Sequence, residues 1–461
     1  MGKLFEKKDE AGYPSESSNN ARESLHNERH AIDETTSNQW NHPRSNIARV
    51  LTTFWVFLIM GANDAAYGAL LPYLQEYYNI SHMVVSVVFI SPLVGYVIAA
   101  VVNNRLHMTI GQRGIAILAP ACHLIAYIIC CVHPPYPALV VAYIFAGTAN
   151  GIHEAAWNAY LGNMQNSGEI LGLLHGLYGV GAVISPLIAT NLITRAHVGW
   201  YTFYYFMIGI SAISAILCPL TFWRFTGAAY RKSREGSDDA QGGLRDALFT
   251  RKAARVSWLC AFLLLLYVGV EVTVGGWIVT LMLEVRHADA FPSGMTATGF
   301  WLGITVGRMV LGFVTSRIGE KLATAIYIIA SIVFALILWL VPHFIVSAIT
   351  VSIQGFFLGP LFPCVVVVMT KLLPKHLHVA AIGFVAAFGG GGAAVLPFVA
   401  GGIAEGSDVK YLFPFVVAAS AAILGLWLCL PRLGGRMNEN AETLSMVVEW
   451  DYNVDSFRDQ K

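Results

Sequence analysis

The sequence predicts an all-α membrane protein, twelve transmembrane helices in two six-helix halves, and three observations carry that prediction. The 461 residues are 56% hydrophobic and 12% charged, whereas a soluble domain carries about 25% charged residues. Apolar windows of about 20 residues, the length that crosses a bilayer, recur six times, give way to a charged stretch, and recur six times more. Matching weak points mark the two sets, as an internal repeat requires. The expected division is a disordered tail over 1–46, a first half over 47–222, a linker over 223–256, a second half over 257–431 and a second tail over 432–461.

The first tail is rich in Ser, Asn, Glu and His without an apolar run, so it reads as disordered and not as a signal peptide. The windows then fall at 50–71, 83–102, 115–132, 138–161, 170–193 and 201–222. After the linker they fall at 258–283, 296–315, 322–341, 344–373, 379–403 and 411–430. Each must be helical, because hydrocarbon offers the backbone no other hydrogen-bond partner. Cys122, Cys130, Cys131, Cys218 and Cys364 lie inside these runs without C-x-x-C spacing, so they read as core fillers. No metal or cofactor site is expected.

Basic residues set the orientation. Arg44, Arg49, Arg105, Arg113, the linker cations, Arg317, Lys321, Lys371, Lys375, Arg432 and Arg436 share one side, against Arg195, Arg286 and Lys410 on the other. The positive-inside rule places both termini in the cytoplasm, and the plasma membrane is the expected location. These cations are dispersed among loops and form no nucleic-acid surface.

Polar residues inside the spans are the candidates for function. In the first span Asn63 and Asp64 share their neighbourhood with Tyr67. The fourth reads Gly147 to Leu161, GTANGIHEAAWNAYL, with Glu154 at mid-depth and Gly147, Gly151, Glu154 and Asn158 on one helical stripe. The packing alternative for each acid is a hydrogen-bonded structural carboxyl. The substrate or proton reading is favoured because two acids occur in one half and desolvation favours the neutral form of a carboxylate, as a proton carrier needs. His153 and Glu154 are neighbours, so only one of them faces the cavity. His175 opens a glycine-dense run through Tyr178 to Gly181, and its cavity and core readings both stay open. In the seventh span Glu271 precedes Gly275-Gly276, which predicts a broken helix lining a cavity, with Trp277 available to stack on a planar solute. Arg308 is a counter-ion to an acid or, as the favoured reading, part of a cytoplasmic gate with Arg317. Asn79-Ile80-Ser81 is a glycosylation sequon too close to the membrane for expected use.

The halves echo each other. Gly147-x-x-x-Gly151 answers Gly355-x-x-x-Gly359, Gly181-Ala182 with Pro186 answers Gly392-Ala393 with Pro397, and the turn 104–113 answers the turn 316–321. Such an architecture rocks one half against the other around a midplane site.

Asn63-Asp64 followed by Leu71-Pro72, Glu154-x-x-x-Asn158, Tyr267-Val268-Gly269, Gly307-Arg308, Ser316-Arg317 and the run Gly389 to Gly392 before Pro397 stand in order in the appropriate spans. Across 50–430 the chain resembles the major facilitator superfamily and, within it, the fucose permease group of sugar and proton symporters, as a fungal-type member. The resemblance implies that Asp64 and Glu154 serve proton coupling and substrate binding. His175 and Glu271 stand where that group has glutamines, so sugar specificity does not carry over, and fungal proteins of similar pattern leave the direction of transport open.

The expectation is therefore a secondary active transporter of a small organic solute, sugar-like or a fungal metabolite, working by proton-coupled alternating access. An efflux carrier, or a receptor or sensor on the same scaffold, is the alternative; no enzymatic constellation is present. The expected substrate-binding residues are Asn63, Asp64, Tyr67, Glu154, Trp157, Asn158, His175, Tyr178, Glu271 and Trp277. Proton coupling is expected of Asp64, Glu154 and Glu271, and gating of Arg105, Arg113, Arg308 and Arg317. The expected partners are the solute, protons and the lipid bilayer, with the protein a monomer that binds no nucleic acid.

Overall fold

The structure is a computed structural model and describes residues 39–234, 248–374 and 377–431. Most of both expected tails and much of the linker, including Arg432 and Arg436, lie outside the described residues.

Helices account for nearly all of what is described. The first six spans are built from α1 (Ser45–Tyr78), the short α2 (His82–Val85), α3 (Val87–Cys131), α4 (Tyr136–Gly162), α5 (Ser167–Thr194) and α6 (Phe203–Phe222). Helix α7 (Gly227–Arg234) falls in the expected linker. The second six use α8 (Arg251–Glu284), α9 (Ala290–Ile318), α10 (Glu320–Leu340), α11 (Phe344–Leu358), α12 (Leu361–Leu372), α13 (His378–Gly406) and α14 (Leu412–Cys429). Two departures from one helix per span have local causes. Helix α3 carries both the second and third spans and turns at Gly111, whose φ of 67° suits glycine. The tenth span divides into α11 and α12 at Gly359-Pro360, where proline supplies no N–H.

Among the described residues, eleven helical segments are long and apolar enough to cross a membrane. The remaining long helix, α4, is diluted in its interior by Asn150, His153, Glu154 and Asn158.

The repeat seen in the sequence is a repeat of contacts. A Cβ on Gly147 or Gly151 of α4 would overlap Pro92 or Ala99 of the second span, and one on Gly355 or Gly359 of α11 and its end would overlap the carbonyls of Phe300 or Ile304 of α9. A Cβ on Gly181 of α5 would overlap the Leu58 carbonyl of α1, and one on Gly392 of α13 would overlap the Leu265 carbonyl of α8. Small residues let these backbones touch, which is how helices associate where lipid removes the hydrophobic drive.

The expected break at Gly275-Gly276 does not occur: α8 is one unbroken helix from Arg251 to Glu284. The glycines serve approach instead of bending. Gly68 of α1 lies against the Gly275 carbonyl and Gly276 lies against the Phe89 ring, so first and seventh spans cross backbone to backbone. Further contacts between the halves join Gly294 to Thr190 and Gly401 to Ser86, stack Arg195 over the Phe291 ring at 3.8 Å, and pair His82 with Glu284 at 3.5 Å. All of these sit in the parts of the helices far from the chain termini. The halves are sealed there, while Asp64, Glu154, Asn158, His175 and Tyr178 at mid-depth keep partial solvent access. A further approach between the halves, Gly179 against the Thr305 hydroxyl, lies nearer mid-depth.

Candidate functional site

Asp64 is the centre of the first half's polar cluster, and every direct partner donates to it. Asn63 and Asn150 donate their amide nitrogens to Oδ1 at 2.9 and 3.0 Å, and Tyr178 donates its hydroxyl to Oδ2 at 2.8 Å. Asn63 is held in turn: Tyr127 donates to its oxygen at 3.1 Å, and its nitrogen also reaches the Tyr67 hydroxyl at 3.1 Å. Spans one, three, four and five thus converge on one carboxylate. Such a set of donors stabilises the charged form and fixes the side chain against the wall of the cavity.

Glu154 lies on the same wall, close enough to Asp64 to feel its charge and adjacent to the Tyr96 hydroxyl of the second span. Asn158, one turn on, donates its amide to the Glu154 backbone carbonyl at 2.9 Å. His153 turns away from Glu154 into the half, fully buried against His123, as their angular separation demands.

In the second half, Glu271 is 5% exposed and pairs with Arg308, whose Nη2 lies 3.0 and 3.4 Å from its two oxygens. Arg308 also donates Nε to the Gly359 carbonyl at 3.2 Å, which Pro363, four residues on, has no N–H to pair. Arg308 is thus paired with Glu271 in this conformation, as the counter-ion alternative expects. The buried Tyr267 hydroxyl, one turn before Glu271, sits beside this pair.

Helix α5 joins the two sets. Tyr178 bonds Asp64 and senses the charges of Glu271 and Arg308, and His175 senses Arg308. His175 also packs edge-on against Phe57 at 5.4 Å.

The structure does not bring the two expected tryptophans to this cavity. Trp157 is fully buried and donates to His153, and Trp277 is fully buried and donates to the Pro397 carbonyl at 3.0 Å. Both indoles are enclosed by neighbouring helices in this conformation. The expected gate residues separate as well: Arg105 and Arg317 are exposed, while Arg113 stacks over the Trp223 ring at 3.7 Å.

Sequence reasoning missed Asn150, His123, Tyr127 and Tyr96. Asn150 and His123 carried a readable signal, since each is a polar residue inside an apolar run. The tyrosines carried none, because their rings pass as apolar filling. No group of three or more His, Cys, Asp or Glu side chains among the described residues could hold a metal ion.

Comparison with known proteins agrees with this architecture. The chain is 31% identical over 412 residues to Bypass of stop codon protein 6 of Saccharomyces cerevisiae, covering 83% of this chain and 82% of the relative. It is 21% identical over 351 residues to the glucose/mannose transporter GlcP of Bacillus subtilis, covering 75% and 85%. Among solved structures, the nucleoside transporter NupG superposes with a TM-score of 0.65 at 15% identity, covering 83% of this chain and 98% of that one. The fucose:proton symporter FucP of E. coli superposes with a TM-score of 0.56 at 15% identity, covering 82% and 97%. The model of the Major Facilitator Superfamily matches residues 53–347 and 273–445, and the chain belongs to that superfamily of membrane transporters.

Proposed function

We propose that the protein is a proton-coupled carrier of a small polyhydroxylated solute, working by alternating access, with the solute held between Asp64, Glu154 and Tyr178 of one half and the Glu271–Arg308 pair of the other. The observation that carries this reading is Tyr178, bonded to Asp64 at 2.8 Å from α5, the helix that packs against α9 and its Arg308. Hydroxyl-rich solutes suit such a wall of carboxylates, amides and phenols, each able to donate or accept. The names of the glucose/mannose transporter, the fucose:proton symporter and the nucleoside transporter supply the same substrate class by analogy.

The positive-inside distribution supports cytoplasmic termini, and the plasma membrane is the compartment we infer. We read 47–222 and 257–431 as the rocking halves, 223–256 as their linker, and the carrier as a monomer in lipid. Tritium-labelled hexose and nucleoside uptake into vesicles with an imposed pH gradient tests the proposal. Saturable uptake that collapses when the gradient is dissipated supports it. A second reading rests on the Glu271–Arg308 pair: fixed charges at the cavity suit an ionisable metabolite, and no uptake across the sugar panel together with loss of a preloaded organic acid would favour export.

A further inference from the structure

The tenth span changes neighbours where it divides. Its first piece, α11, packs on α9 and α10, and its second, α12, packs on α8 and α10. Glu271 of α8 and Arg308 of α9 meet at that fork. Two prolines create it, because Pro360 and Pro363 supply no N–H and the carbonyls four residues before them, on Phe356 and Gly359, lose their helical donors. Both carbonyls turn to the dipeptide Gly307-Arg308. The Phe356 carbonyl lies so close to Gly307 that a Cβ there would overlap it, and the Gly359 carbonyl accepts from Arg308 Nε at 3.2 Å. The same guanidinium is held at its other edge by Glu271, whose oxygens lie 3.0 and 3.4 Å from Nη2.

The first half has no such fork. Helix α4 runs unbroken past Gly151, the residue that answers Gly359, and carries Ile152 and Ala155 where the tenth span carries its prolines.

We propose that Arg308 couples the contact made by Glu271 to the direction of α12. A buried carbonyl without a donor is costly, and Gly359 is buried, so α12 keeps its present course while the guanidinium stays within reach of that carbonyl. The guanidinium stays there because Glu271 holds it. A solute hydroxyl that takes Glu271 for itself loosens this hold, Arg308 follows the cavity water, and the Gly359 carbonyl turns toward water in its turn, drawing α12 away from α8. One side chain thus carries the occupancy of the site into the half of the tenth span that leads to Lys371. Gly307, Pro360 and Pro363 are positioning residues, acting through Arg308. The proposal rests on the reading of the Glu271–Arg308 pair as part of the solute site.

Two measurements test it. Thermal unfolding in detergent compares the effect of Pro363→Ala in wild type and in the double variant Glu271→Gln/Arg308→Met, which removes both charges together and takes the donor from the Gly359 carbonyl. Pro363→Ala returns an N–H to that carbonyl. It is expected to raise the unfolding temperature by about 2 °C more in the double variant than in wild type, and equal shifts overturn the proposal.

The second measurement reads α12 itself, at Val368, which is fully buried. A single cysteine introduced as Val368→Cys is expected to react about tenfold faster with a water-soluble thiol reagent once Glu271→Gln removes the charge that holds the guanidinium. Adding Pro363→Ala is expected to abolish the increase, since the carbonyl then keeps a donor whatever Arg308 does. Unchanged reactivity in Glu271→Gln overturns the coupling, and so does an increase that persists with Pro363→Ala. Should Glu271→Gln alone not fold, the unfolding comparison decides, because the double variant strands no charge. Neither measurement uses a solute, so failure of gradient-driven uptake would count against the transport reading and leave the coupling of Glu271 to α12 intact.

Discussion

Asp64 and Glu271 stand at matched places on two crossing helices. Each follows by six residues a leucine carbonyl, Leu58 or Leu265, on which a glycine of the fifth or eleventh span rests. Four residues further on, Gly68 and Gly275 are matched as well, and there the helices touch. The two acids nevertheless keep different company. Asp64 is surrounded by neutral donors, whereas Glu271 faces a cation.

That difference predicts different responses to neutralisation. Glu271→Gln and Arg308→Met each strand the other partner in a buried place, at a cost of about 3–5 kcal/mol. The double variant removes both charges and is expected to unfold at a higher temperature than either single one. Thermal unfolding in detergent checks this, and a double variant less stable than both singles would contradict the assignment of the pair.

Glu154→Gln keeps the shape and hydrogen bonding of a neutral carboxyl and removes its titration. Solute exchange at equal concentrations is expected to survive, and net transport driven by a pH gradient to be lost. Measuring both modes in proteoliposomes separates coupling from structure, because loss of a structural acid lowers both modes alike. Wild-type gradient-driven transport by the variant would leave coupling to Asp64 or Glu271.

Gly68→Val adds atoms where the Gly275 carbonyl already sits. The seal between halves is expected to loosen, by roughly tenfold in the closed population. Cysteines introduced as His82→Cys and Glu284→Cys, facing each other across that seal, report it through the yield of a short bifunctional cross-linker. An unchanged yield would show that the crossing tolerates side chains.

The His82–Glu284 contact is an ion pair only while His82 is protonated, and Glu405 adds a second negative charge nearby. Attraction across the seal is therefore present at low pH and lost as pH rises through the imidazole range. Acidification on that face is expected to favour the sealed state, and His82→Gln to remove the dependence. The effect is modest because the partners are half open to water. Accessibility of a single cysteine introduced as Thr190→Cys, buried against Gly294 in the seal, read at two pH values, is the measurement.

Much of this was legible in the residues. The spans, the two halves and the pairing of Gly181 with Gly392 follow from apolar length and spacing, which lipid constrains tightly. Asp64 and Glu154 stand out because a carboxylate inside an apolar run requires explanation. What one strand of sequence does not carry is which neighbour meets each group. Gly275-Gly276 has the composition of a break and the geometry of a crossing, since glycine permits both. Arg308 lies at equal remove from an acid and a loop until the fold sets α9 against α8. Trp277 has a ring fit for stacking, and only its contact with Pro397 shows that ring already committed.

The crossing at Gly68 and Gly275 is a fulcrum made of main chain, and it asks nothing of the side chains around it. The polar lining of either half can therefore change without unseating the other. One carboxylate sits among amides and phenols while its counterpart meets a guanidinium, and the likeness of the two halves holds in the backbone where their chemistry parts.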